Sequence, residues 1–162
     1  MKQKIILLLL CSLTSAVFAQ QTNFAGRYKV NKIKTNFGDA QEFILPRYIR
    51  ANQDKVHIII SRTQLDQQFK EQAPVVDTLS FEGSEFKGKT ASGNISTSKL
   101  KRLNDQSLQL NISVATVDGV VRLKVAEIWK LEEDGKILFV YRTVEQGTMK
   151  YTTKAYFDRI EE

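Results

Sequence analysis

Cysteine is almost absent from this chain. The single copy, Cys11, falls within the first nineteen residues, and nothing after Ala19 carries a thiol. The remainder can form no disulfide and offers no thiol nucleophile, so its core must hold unaided. Histidine is as scarce. His57 is the one copy, set between Val56 and Ile58 in an apolar run. With no second histidine and no cysteine near it, the spacing of a zinc site is missing, and a lone strand histidine reads as structural. No Gly-x-Ser-x-Gly occurs, and Gly83, Gly88 and Gly93 are spread out as turn punctuation instead of forming a phosphate loop. Glu132, Glu133 and Asp134 are adjacent carboxylates, but they crown a turn where solvation accounts for them. These absences argue against an enzyme and give no reason to expect a cofactor or a metal.

Runs of one charge are missing too. No five like charges adjoin, and there is no basic helix or basic stripe interleaved with aromatics, so no nucleic-acid partner is expected. Of the 24 basic and 18 acidic residues, Lys2 and Lys4 lie in the first nineteen, which leaves 22 against 18, net +4, as an ordinary solvated surface. Those nineteen residues have the layout of a secretory signal: MKQK is basic, IILLLLCSLT is apolar, and SAVFA ends on small residues before Gln20. The apolar run is too short to span a bilayer. Leu10 stands where a lipoprotein signal carries a small residue, which argues against lipidation of Cys11. The expectation is a cleaved signal at 1–19 and a single β-barrel domain at 20–162. The protein would be exported, periplasmic or secreted, with no transmembrane segment in the mature chain. The 143 residues that remain of 162 suffice for one domain with a real core.

What the sequence has in quantity is alternation. Asp118-Gly119 sits between SLQLNISVATV and VVRLKVAEIWKL, Asp134-Gly135 precedes KILFVYRTVE, and Gln146-Gly147 precedes TMKYTTKAYFDRI. Asx-Gly between alternating runs signals a hairpin, because a type I′ turn needs positive φ at both central residues; Gln-Gly is a weaker form. A two-residue turn at 118–119 pairs Leu108 with Trp129, Leu110 with Glu127, Ile112 with Val125 and Val114 with Leu123. The turn at 134–135 pairs Trp129 with Val140 and Glu127 with Arg142. The turn at 146–147 pairs Arg142 with Tyr151, Val140 with Thr153 and Leu138 with Ala155. One face then stays mostly apolar across four strands, and a one-residue slip would destroy that agreement.

The first half is less regular. FAGRYKVNKI (24–33) reads as an opening strand, and 34–46 as a loop or short helix. RYIRA and KVHIIIS read as a hairpin around Asn52-Gln53-Asp54, and 63–74 as a polar connection with a helical turn or two. Short strands follow, separated by glycines. Nine or ten strands in one antiparallel meander, with no βαβ rhythm, must hide their oily face. Nearest-neighbour hairpins favour closure into an up-and-down barrel of about 8–10 strands, which also removes exposed edges.

The residues resemble those of the calycin barrels: lipocalins, fatty-acid-binding proteins and the small lipocalin-like proteins of bacterial periplasms. FAGRYKV (24–30) is similar to the lipocalin opener Gly-x-Trp, with Tyr28 in the Trp position. EIWKLEEDGKILFVYRT (127–143) and KAYFDRI (154–160) are similar to the last hairpins of the bacterial group. The chain departs from fatty-acid-binding proteins at its end, where Tyr156-Phe157-Asp158-Arg159 replaces an Arg-x-Tyr pair, so that family's site is not carried over. The resemblance implies a barrel able to enclose a cavity.

Glu127 and Arg142 are the oddity of the apolar face. One reading is a polar layer that satisfies itself; an unpaired charge there would be costly. The other makes Arg142 and Tyr151 donors into a ligand cavity, with Glu127 holding the guanidinium and Trp129 beside them. A planar guanidinium suits a carboxylate. The ligand would be small and mostly apolar, with an acidic group as one option. Against it stands a filled barrel, plugged by Trp129, Phe157, Leu131 and Met149. On the wet face, Ile128, Ile137, Phe139, Tyr141 and Tyr156 form an apolar group, Ile128 opposite Tyr141 and Ile137 opposite Tyr156. That group is either a protein-partner surface or is covered by Phe37, Phe43 and Ile44.

Overall fold

A computed structural model describes residues 22–161 except Gln41 and Ala91; the side chain of Phe43 and the expected signal at 1–19 lie outside the described residues. Ten antiparallel strands make one sheet: β1 (Gly26–Val30), β2 (Tyr48–Gln53), β3 (His57–Thr63), β4 (Val75–Ser80), β5 (Glu85–Lys89), β6 (Ile95–Asn104), β7 (Ser107–Ala115), β8 (Val121–Glu132), β9 (Ile137–Gln146) and β10 (Met149–Ile160). Their order is β4-β3-β2-β1-β10-β9-β8-β7-β6-β5. Consecutive strands neighbour each other throughout, and the first strand pairs with the last. Only β4 and β5, side by side at the two ends of the order, share no ladder. The sheet is therefore an up-and-down barrel, nearly closed, with one seam.

Alternation sets the registers as expected over three strands. Leu108 faces Trp129, Leu110 faces Glu127, Ile112 faces Val125 and Val114 faces Leu123, while Trp129 faces Val140 and Glu127 faces Arg142. Asp134 and Gly135 both take positive φ, 55° and 84°, as the hairpin requires. At the Asp118-Gly119 turn a bulge at the Val114/Ala115 step shifts the last pair by one residue.

The β9–β10 turn departs from expectation. Its central residues are Gly147 and Thr148, with Gln146 paired to Met149, so Arg142 faces Thr153, Val140 faces Ala155 and Leu138 faces Phe157. The slip is two residues, which preserves the faces but moves every pair. Glycine adopts positive φ where glutamine does not readily, and Gly147 (φ 59°) therefore opens the turn instead of closing it. Tyr151 accordingly faces Val144, one level away from Arg142. Met149 falls at the turn and is 60% exposed, so it plugs nothing.

The β2–β3 turn lies at 54–56, two residues later than the expected centre, with Asp54 N–H donating to the His57 carbonyl. The 63–74 connection has no helical turn; Leu65 and Glu71 form an isolated bridge around Phe69, whose φ is positive. Between β1 and β2 a single 3-10 turn, Glu42–Ile44, resolves the loop-or-helix alternative. Residues 31–36 run along β10, with Asn31 N–H donating to the Tyr156 carbonyl and Asn36 bridging Lys154. Gly38 (φ 57°) then passes so near Thr152 that a Cβ would lie 2.6 Å from its carbonyl oxygen. Beyond it the chain turns over the barrel mouth and buries Leu45.

The inward rows make the core. Phe24, Tyr28, Trp129 and Phe157, together with Leu100, Leu108, Leu110 and Leu138, are buried in one cluster. Phe24 crosses the end opposite the mouth, and its carbonyl accepts from the Tyr28 hydroxyl at 3.0 Å.

Candidate functional site

Inside this apolar cluster lies a layer of charge. Glu127 is its centre, 5% exposed. Its Oε2 accepts from Trp129 Nε1 at 2.8 Å, and its Oε1 lies 3.5 Å from Arg142 Nε. Arg142 Nη1 donates to the Ile44 carbonyl at 2.9 Å. The β1–β2 connection thus reaches the polar layer with its backbone. Two further residues join from the other side of the barrel. Arg62 on β3 donates from Nη1 to Asp77 Oδ2 on β4 at 2.7 Å, and its Nη2 lies 3.8 Å from Glu127 Oε2. The Arg62 guanidinium also sits over the indole of Trp129, 5.7 Å from the ring centroid, a favourable face for a cation.

Of the residues expected from sequence, Arg142, Glu127 and Trp129 are brought together. Tyr151 is half-buried on the same face but one level toward the mouth, and the place opposite Arg142 belongs to Thr153, 1% exposed. Arg62 and Asp77 were missed. Their signal was of the same kind as that of Glu127, a charge continuing an every-second apolar series: Ile58, Ile60, Arg62 and Asp77, Leu79.

Several buried donors have no hydrogen-bond partner among the described residues: Arg62 Nε and Nη2, Arg142 Nε and the Thr153 hydroxyl in the layer, and both Nη atoms of Arg102 one level away. Arg102 lies on β6 in the inward row after Ser98 and Leu100, facing Leu108, with its guanidinium 4.6 Å from the Phe81 ring centroid. At the far end Tyr28 is fully buried beneath Arg159. Burial pushes its phenol pKa above the ordinary 10.0, partly opposed by the Arg159 charge.

His57 is exposed on the outer face, its Nδ1 3.9 Å from Asp54. Among the described residues no group of three or more His, Cys, Asp or Glu could hold a metal, and no helix is long and apolar enough to cross a membrane. On the outer face Phe139 and Tyr156 meet at 5.0 Å between ring centroids. Ile128 faces Tyr141 as expected. Ile137 faces Asp158, not Tyr156, because of the two-residue slip, and is only 4% exposed. Ile44 and Leu45 lie at the mouth, with the Ile44 carbonyl on Arg142; residues 31–36 are the part that runs beside Tyr156. Ile128 remains 38% exposed.

No protein-family model matches the chain, and no curated protein does. Solved structures do. A fatty acid binding protein of Schistosoma mansoni, solved in complex with arachidonic acid, superposes with a TM-score of 0.52 at 13% identity, over 87% of this chain and 98% of that one. The fold is a calycin-type barrel. A luciferase domain from the dinoflagellate Lingulodinium polyedrum is similar at a TM-score of 0.50 and 10% identity, over 84% of this chain and 42% of that one. At these identities the calycin likeness is one of fold alone.

Proposed function

We propose that this calycin-like barrel is an exported, non-enzymatic binding protein that holds a small, largely apolar, acidic ligand in its interior. The observation that carries the reading is an imbalance. Arg62, Arg102 and Arg142 face inward against Asp77 and Glu127, and several of the guanidinium nitrogens have no hydrogen-bond partner among the described residues. A barrel that had only to be filled would gain little from such groups, since a buried ion pair is a weak source of stability and an unpaired cation a cost. Arg142, Glu127 and Trp129 are the polar layer that the ligand meets, with Tyr151 lining the level toward the mouth. The ligand class is supported by the shared fold with a protein solved around a fatty acid. Export rests on the basic, apolar, small-residue order of 1–19. Titration with a fluorescent fatty-acid analogue tests the reading. Saturable one-to-one binding, displaced by an unlabelled long-chain fatty acid, is expected; no saturable binding contradicts it.

A second reading, a structural or interaction barrel with a filled core, is favoured by a specific observation. Trp129, Tyr28, Phe24 and Phe157 are each at most 1% exposed. An outer groove of about 370 Å³ lies over Ala126, and it is not lined by Arg142, Glu127 or Trp129. In that case Ile128, Phe139, Tyr141 and Tyr156 would serve a protein partner. A failed titration, together with self-association abolished by Phe139→Asp, is the result that selects it.

A further inference from the structure

We infer that Arg102 seats the acidic head of the ligand; the inference rests on the reading above and names the anchor. Of the three inward guanidiniums, Arg62 gives Nη1 to Asp77 and Arg142 gives Nη1 to the Ile44 carbonyl with Glu127 beside it. Arg102 has neither. Its Nη1 and Nη2 are buried, no carboxylate of the described residues pairs with them, and their one neighbour of note is the face of Phe81. A ring face attracts a cation but accepts no conventional hydrogen bond, so it offsets only part of the cost of burial. Lysine could escape that cost by losing its proton. Arginine cannot. Among the described residues the interior therefore carries three cations against two carboxylates, an excess that one singly charged anion balances.

The two Nη atoms form the fork that a carboxylate accepts bidentately. The position also gives the tail somewhere to lie. Arg102 stands at the end of the unladdered seam: Phe81 leads out of β4, and Gly83 in the β4–β5 turn packs on the Leu100 carbonyl at 3.6 Å from its Cβ position. Phe81 beside it, and Phe86 and Ile112 at the level of Ser98, two inward positions back along β6, are only partly buried against the core. A head on Arg102 leaves the tail to run along these side chains, inside the seam.

The test compares a fluorescent long-chain fatty acid with the matching alcohol, on wild type and Arg102→Met. Methionine keeps the apolar volume and removes the charge. Arg102→Met is expected to lose about tenfold or more in affinity for the acid, the loss of a charged hydrogen-bonded pair, and to bind the alcohol as wild type does. Without ligand it is expected to melt at or above wild type, since an uncompensated cation has gone. Equal affinity of variant and wild type for the acid overturns the inference and leaves the binding function standing. A ligand-free variant that melts clearly below wild type also overturns it, because Arg102 would then have a protein partner in solution. Failure of wild type to bind either probe overturns the binding function itself.

Discussion

Glu127 Oε2 accepts the indole N–H of Trp129, two residues further along the same strand, at 2.8 Å. The carboxylate that lies between Arg62 and Arg142 is therefore held by the one tryptophan of the chain. A β-strand places residues two apart on the same face, and here that spacing builds a polar layer from a single strand.

The layer should be non-additive. Glu127→Leu leaves Arg142 and Arg62 without the carboxylate charge between them and the Trp129 N–H without its acceptor, and a loss of about 3–5 kcal/mol is expected. Replacing Arg142 by Met in the same chain removes one stranded cation and should recover part of that loss. Recovery is incomplete, because an unsatisfied indole N–H still costs about 1–3 kcal/mol. Urea denaturation of the single and double variants checks this. A double variant less stable than Glu127→Leu would mean that the two side chains are not coupled.

Tyr28 should make the fold sensitive to alkali. Burial holds its phenol pKa above 10.0 despite Arg159, so the folded state keeps the proton longer than the unfolded chain. The stability this contributes is complete below the unfolded value and is lost as pH rises through the folded one. In an ultraviolet titration of the five tyrosines, the Tyr28 step should come last and coincide with unfolding, and Tyr28→Phe should remove it. A Tyr28 that ionises with exposed tyrosines while the barrel stays folded contradicts the assigned burial.

Much of this barrel was legible because alternation and Asx-Gly turns reinforce each other. From Leu108 to Arg142, two turns and one apolar face agree, and both pairings follow. The third turn was misplaced because glutamine, unlike Asx, does not favour positive φ, so the pattern left two same-face registers open and the glycine chose between them. Glu127 and Arg142 could be read as partners because a short hairpin joins them. Arg62 and Asp77 could not, since no tight turn ties β3 to β4 across residues 64–74 and the approach of Arg62 to Glu127 depends on barrel closure. Arg102 ends an inward row, where a charge looks like any other strand end.

Export makes a separate prediction. Intact mass of the protein from its native host should correspond to a chain beginning at Gln20, as the signal layout of 1–19 implies. A mature chain that retains Met1 to Ala19 contradicts it.

The central claim is that the barrel interior takes up an acidic, apolar molecule, and Trp129 tests it most directly. It is the single tryptophan, 1% exposed, and hydrogen-bonded within the polar layer. A brominated fatty acid quenches an indole only at close range. The expected result is saturable quenching of Trp129 at one brominated chain per protein, reversed by the unbrominated acid. A brominated acid that binds saturably without dimming Trp129, or does not bind at all, contradicts the account.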